Sequence, residues 1–305
     1  MRDAFNKELI NIANQNSNIY LLTGDIGFQV FDEFREKFTN RFLNMGVSEA
    51  NMIGVAAGMT LNNKEPICYT IIPFLIMRAF EQIRTDLCIQ NLPVKLVGVG
   101  GGVSYGTLGP THHSIVDLAI MRSLPNMTVI SPADPLETRK ATIEMMKIDG
   151  PVYLRLGKNG EPNLLNKDYK FEIGKGIKLI DGHDITLVST GSILSLSLEI
   201  AKKLKKINIS PEVINLHTIK PIDKEIIYNS LRKTKKIITI EEHNIIGGLG
   251  SAVAETIVEL DLDFKQKSFG INDNFNYGVG GQNYHYKKNG LTVENILNYI
   301  IKKFI

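Results

Sequence analysis

At 305 residues and 34.0 kDa, the chain is about twice the ~150 residues that serve as a soft measure of one domain. Its composition, 43% hydrophobic and 22% charged, excludes disorder and low-complexity repeats. The charge sum, 35 Lys and Arg against 32 Asp and Glu, leaves +3, too balanced to argue for a nucleic-acid or membrane-surface partner.

Cys68 and Cys88 sit in apolar stretches without a paired-thiol motif, which fits buried thiols in a reducing, cytoplasmic setting. The opening MRDAFNKELI mixes both signs of charge and does not read as a signal peptide. The most apolar run, 67–77, is too short to span a bilayer and meets Arg78.

In chain order, short apolar β-branched runs predict strands at 19–22, 67–70, 95–99, 128–130 and 152–155. Four more follow at 185–189, 212–215, 236–240 and 267–270. Helical patterns lie between them at 3–14, 48–61, 78–89, 135–146 and 192–205. In the last of these, Leu194, Leu198, Ile200, Ala201 and Leu204 form one apolar face. This alternation predicts an α/β chain with two parallel-sheet, three-layer domains. The polar stretch 157–168, with its Gly and Pro residues, marks the junction. The expected division is 1–165, a linker at 166–181, and 182–305.

Five segments could carry chemistry. In GVSEANMIGVAAG (46–58), Ser48 suits an N-cap, and Glu49 stands at the first helical position, where its charge meets the helix dipole. Those residues fit a capped, closely packed helix, or a carboxylate facing a ligand or partner. In PFLIMRAFEQIR (73–84), Phe74 and Arg78 read most simply as a core aromatic and a solvated cation. The glycines at 98, 100, 101 and 102 invite a dinucleotide reading, but Val103 stands where the third fingerprint glycine is needed. His112 and His113 lie on the loop that follows, spaced for substrate hydrogen bonding and proton transfer rather than for a helical metal pair. In PVYLR (151–155), Arg155 ends a strand where anionic ligands are often gripped, or is a surface arginine. In IEEHNIIGGLGSAVAE (240–255), GGLG opens a helix and suits an anion site or a tight turn.

Taken together and in order, these segments resemble the C-terminal half of transketolases and deoxyxylulose-phosphate synthases. GPTHH (109–113), MRSLPNMTVISPAD (121–134) and VINLHTIKPID (213–223) add to the match. The resemblance spans about 18–297. It implies a pyrimidine-binding domain of thiamine diphosphate enzymes followed by the small C-terminal domain of that superfamily. By position, Glu49 would hydrogen-bond N1′ of the cofactor's aminopyrimidine, and a proton shared there activates the cofactor. Phe74 would stack on the pyrimidine ring. Asp25 and Ile26 match an Asp-Leu pair beside the thiazolium. His112 would face the substrate channel, with His113 in place of a glutamine. Arg78 and Arg155 match arginines that bind a substrate phosphate.

Two departures bear on function. The family's acidic reader of sugar hydroxyls is replaced by Leu108. The Gly-Asp-Gly and asparagine pattern that holds Mg2+ and the diphosphate is missing; 24–27 reads Gly-Asp-Ile-Gly. Two phosphates demand a neutralising cation, so the expectation is a split transketolase. An N-terminal partner subunit would carry the metal site in an α2β2 heterotetramer that moves a two-carbon ketol unit from a ketose to an aldehyde. The alternatives are the β subunit of a 2-oxo-acid dehydrogenase and a non-catalytic regulatory subunit.

Overall fold

The computed structural model describes residues 1–166, 169–260 and 263–305. Lys167 and Asp168, which fall at the expected junction, lie outside the described residues. The strands are β1 (Ile19–Thr23), β2 (Phe42–Asn44), β3 (Glu65–Ile71), β4 (Lys95–Val99), β5 (Thr128–Ile130) and β6 (Val152–Leu156). They continue with β7 (Ile177–Ile180), β8 (Ile185–Ser189), β9 (Pro211–Asn215), β10 (Thr218–Lys220), β11 (Lys236–Asn244) and β12 (Lys265–Ile271).

Two sheets form, in the orders β10-β5-β6-β4-β3-β1-β2 and β12-β11-β8-β9-β7. Every pairing is parallel except at one edge of each sheet, where β10 runs antiparallel to β5 and β7 antiparallel to β9. Residues 177–180, inside the expected linker, are thus an edge strand of the second sheet. Residues 218–220, inside the expected second domain, cap the first sheet instead. No helix among the described residues is long and apolar enough to cross a membrane.

Side-chain alternation along the strands builds the layers. Ile19, Leu21, Ile67, Tyr69, Val97 and Leu154 face one core with Phe5 and Leu9 of helix Arg2–Gln15. Leu22, Cys68, Leu96 and Tyr153 face the other, with Met52, Ile53 and Ala56 of helix Glu49–Thr60. That second core runs on without a break into Val188, Ile214, Ile237 and Leu249 of the C-terminal half. The two sheets therefore share buried apolar surface and hold each other in place. The outer face of the second sheet packs on Leu194, Ile200, Ala201 and Leu204 of helix Leu194–Lys205; Leu198, the fifth residue of the expected apolar face, is only partly buried against it.

Capping residues fix the joints. Asp134 accepts from the Glu137 amide at 2.7 Å at the start of helix Pro135–Met145, and Pro135 opens it without a wasted donor. The other Asp134 oxygen takes the amides of Leu164 and Leu165 at 2.9 Å, tying the start of the junction to the first domain.

Candidate active site

Most of the expected site residues gather on loops and helix entries that leave the carboxyl ends of β1 to β4, where open parallel sheets bind ligands. Asp25 and Ile26 follow β1, Glu49 follows β2, Phe74 follows β3, and Leu108, His112 and His113 follow β4. Glu49 is the first residue of helix Glu49–Thr60 and is only 1% exposed. Ser48 is the N-cap by position, but its side chain makes no capping bond; only its carbonyl is used, by the Met52 amide at 2.9 Å. The dipole and the glutamate side chain therefore define this entry, not the serine hydroxyl.

One Glu49 oxygen, Oε2, accepts from Arg78 Nη1 at 2.6 Å. The other, Oε1, has no protein partner among the described residues and faces Gly24. A Cβ on Gly24 would stand 3.3 Å from Oε1 and 2.8 Å from the Thr70 hydroxyl, so glycine there opens the carboxylate to a ligand. The Thr70 and Thr23 hydroxyls nearby are buried and without hydrogen-bond partners among the described residues. Buried polar groups left unpaired in a native fold call for an explanation, and a bound ligand is one.

Phe74 lies in a wide π-type turn, Pro73–Met77, of the kind that often marks functional sites. It is half-buried rather than a core aromatic. The Arg78 guanidinium lies 4.8 Å from its ring centre, and the His112 ring meets it edge-on at 5.2 Å. Glu49, Arg78, Phe74 and His112 thus form one contiguous group. The Thr111 hydroxyl is 3.0 Å from His112 Nδ1 and steadies that ring. Leu108, 51% exposed, sits on the same loop.

Asp25 adopts a left-handed backbone, φ 56°, which costs a non-glycine residue energy unless neighbours enforce it. Asn44 enforces it: its Oδ1 accepts from the Asp25 amide at 3.1 Å and the Gly46 amide at 3.0 Å, and its Nδ2 donates to Asp25 Oδ1 at 3.0 Å. Ile26 lines the adjoining small pocket with Thr23, Phe28 and Asn44. Sequence reasoning passed over Asn44. An asparagine just ahead of the Gly46 turn was the available signal.

Three of the candidates are engaged within the chain itself. Arg155 is not a surface residue, and its Nε and Nη2 donors are taken by the protein. It is 5% exposed, its Nε donates to Asp117 Oδ2 at 2.6 Å, and its Nη2 reaches Asp117 Oδ1 and the carbonyls of Ser114 and Glu242. It ties the first domain to β11 of the second. His113 is likewise buried, with Nε2 3.2 Å from the Gly106 carbonyl. The GGLG turn has its own anion: Glu241 accepts from the Leu249 amide at 2.6 Å and the Gly250 amide at 2.8 Å. Burial pushes the Glu241 carboxyl up to about 7, and the two amides hold it back from rising further. No room is left there for a ligand phosphate.

Known proteins share this arrangement of domains. Residues 1–161 match the transketolase pyrimidine-binding domain and residues 174–296 the transketolase C-terminal domain. The chain is 38% identical over 266 residues to an apulose-4-phosphate transketolase component from Actinobacillus succinogenes, covering 87% of this chain and 85% of that protein. It is 35% identical to a 6-deoxy-6-sulfo-D-fructose transketolase component of a Clostridium strain, covering 97% and 92%. Among solved structures it resembles a split-gene transketolase described as an inactive β4 tetramer, with a TM-score of 0.90, 38% identity, and coverage of 99% and 97%. The chain belongs to the transketolase family, in which it corresponds to the pyrimidine-binding and C-terminal domains.

Proposed function

We propose that this chain is the pyrimidine-domain subunit of a two-chain, thiamine diphosphate-dependent transketolase that transfers a two-carbon ketol unit from a modified ketose to an aldehyde. The observation that carries the reading is the buried Glu49 carboxylate, with one oxygen free toward Gly24 and an aromatic, Phe74, in the same group. A planar base with a ring nitrogen fits that donor set: an acid to share a proton and a ring to stack on. The orphaned Thr70 hydroxyl adds a polar wall.

On this reading residues 1–165 form the pyrimidine-binding domain and 182–305, with the edge strand 177–180, the C-terminal domain. Thiamine diphosphate, when bound, supplies the nucleophilic carbon and the electron sink for carbon–carbon cleavage. Glu49 would share a proton with the pyrimidine nitrogen, and Phe74 would stack on that ring. Asp25 and Ile26 border the thiazolium side. His112 moves protons at the substrate oxygens, while Leu108 shapes the sugar end. Arg78 spends Nη1 on Glu49 and keeps its other N–H groups, on a 45% exposed side chain, for a substrate anion.

The missing Gly-Asp-Gly pattern supports placing Mg2+ and the diphosphate on an N-terminal partner subunit, in an α2β2 assembly. The free, buried cysteines support a cytoplasmic setting. The alternatives, a 2-oxo-acid dehydrogenase β subunit and a regulatory subunit, are not favoured, since the relatives above are named transketolase subunits.

Calorimetric titration with thiamine diphosphate and Mg2+ tests the division. The chain alone should bind weakly or not at all, and its mixture with the N-terminal partner should bind tightly. Sub-micromolar binding by this chain alone would overturn the two-chain reading.

A further inference from the structure

The loop that carries Leu108 and His112 belongs to the first domain, yet residues of the second domain hold it. Its base is closed by a reciprocal pair, Gly102 amide to Ser114 carbonyl at 3.0 Å and Ser114 amide to Gly102 carbonyl at 2.7 Å. Just inside that base the Val103 amide donates to Glu242 Oε1 at 2.8 Å, and Gln282 Nε2 fixes the same carboxylate at 2.9 and 3.0 Å. Halfway along, the Gly106 carbonyl meets two imidazoles. His113 Nε2, from the loop itself, and His285 Nε2, from the second domain, both lie 3.2 Å from that oxygen.

A carbonyl oxygen has no proton to give, so both rings donate from Nε2; the Gly109 amide makes a longer third contact with the same oxygen, at 3.4 Å. Consistent with that tautomer, Nδ1 of each ring is buried without a partner among the described residues. The rings touch edge to face, with centroids 4.9 Å apart. His285 is fully buried, so nothing in the solvent competes for this bond. The backbones are equally close: a Cβ on Gly106 would stand 2.6 Å from the Gly280 carbonyl.

We infer that His285, with His113, is a positioning residue, which clamps the Gly106 carbonyl and thereby sets the 103–113 loop that presents His112 and Leu108. The second domain then tunes the site without its histidine touching substrate. Misplacing a catalytic group by about 1 Å can cost on the order of 10²-fold, so a loose clamp has consequences for turnover. The kinetic part of this inference rests on the proposed substrate role of His112; the structural part does not.

The test compares wild type with His285→Leu, which removes the donor, and His285→Gln, which returns an N–H at similar reach. Hydrogen exchange is read on the full chain by mass spectrometry, with helix 2–15 as internal reference. His285→Leu should speed exchange in 103–113 by about fivefold or more while 2–15 is unchanged, and His285→Gln should restore most of the protection. In the reconstituted enzyme, kcat/KM should fall by about tenfold or more with Leu and recover with Gln. Unchanged exchange in 103–113, or equal acceleration in 2–15, would overturn the clamp. A loosened loop with wild-type kinetics would overturn its positioning role. Absence of ketol transfer in the wild-type mixture would count against the functional reading instead. If His285→Leu fails to fold, Gly106→Ala approaches the same contact from the other side, and wild-type protection of 103–113 in that variant would also overturn the clamp.

Discussion

Arg78 donates from Nη1 to Oε2 of Glu49 at 2.6 Å while its guanidinium lies 4.8 Å from the Phe74 ring centre. One cation thus touches both residues assigned to the pyrimidine ring. Glu49 is buried, so its anion has no solvent shell to fall back on if Arg78 is removed. Arg78 is half-exposed and has donors to spare.

Two separable losses are therefore expected from Arg78→Ala. Loss of the Glu49 partner lowers kcat for every donor. Loss of a charge-assisted bond to a substrate anion, roughly 1.5–3 kcal/mol, costs a further ~10- to 100-fold in kcat/KM for a phosphorylated donor only. Comparing a phosphorylated ketose with its unphosphorylated counterpart reads the difference. Equal losses for both would leave Arg78 serving Glu49 alone.

Glu49→Gln should largely abolish turnover while the two chains still assemble. Glutamine keeps the shape and a hydrogen bond but cannot share a proton with a ring nitrogen, a loss of ~10²-fold or more. Hydrogen–deuterium exchange at C2 of the cofactor reports the step directly, and size-exclusion chromatography reports assembly. Wild-type exchange in the variant would remove Glu49 from the mechanism.

Why local sequence places the elements that bear Glu49 and Phe74, but not the surroundings of Arg155, has a physical reason. Helix entry, turn and strand end are local events, written in residues a few positions apart, and the parallel topology collects their ends on one edge of the sheet. The strand predictions at 95–99, 128–130 and 185–189 agree with the structure residue for residue. Arg155, by contrast, is defined by Asp117, 38 positions away, and by the Glu242 carbonyl, 87 positions away. Nothing local distinguishes such an arginine from one awaiting phosphate. The three-residue strand β10 is too short to show a period. The anion-site geometry of GGLG is real, but Glu241 reaches forward from β11 to fill it. His285 sits in no motif, and only folding brings it to Gly106.

Stability should depend on acid through His217. Burial pushes its imidazole from 6.5 down to about 4, opposed weakly by Asp223, and the ring stacks on Phe171 at 4.1 Å. The unfolded chain takes up this proton near pH 6.5 and the folded one only near 4. The contribution is therefore complete above pH 6.5 and is lost as pH falls toward 4, by about 3 kcal/mol at 1.36 kcal/mol per unit. Glu137 and Glu241, both raised by burial to about 7, act in the opposite sense. The folded state holds their protons more tightly, so they favour folding on acidification. A simple wild-type pH profile would mix these effects. The comparison of His217→Leu with wild type isolates one of them: urea unfolding at pH 7 and pH 4 should show the variant gaining about 3 kcal/mol on wild type. A pH-independent difference would mean the imidazole titrates normally.

On the proposed reading Leu108 stands where the family has an acidic reader of sugar hydroxyls, and it is 51% exposed on the loop that bears His112. A leucine that only packs is ordinarily buried; this one is half-exposed on the same loop as His112, where on the proposed reading a donor sugar would meet it. An apolar side chain there leaves a donor hydroxyl without its partner, which disfavours that donor by on the order of 10²-fold. The expected donor therefore lacks the ordinary hydroxyl arrangement near the cleaved bond, as in a deoxy or branched sugar derivative. Xylulose 5-phosphate should be a poor donor for the wild-type enzyme, and Leu108→Asp should improve it. The assay follows donor consumption with a common aldose phosphate acceptor, in the reconstituted two-chain enzyme. Efficient wild-type turnover of xylulose 5-phosphate, unchanged or worsened by the substitution, would show that Leu108 does not select the donor.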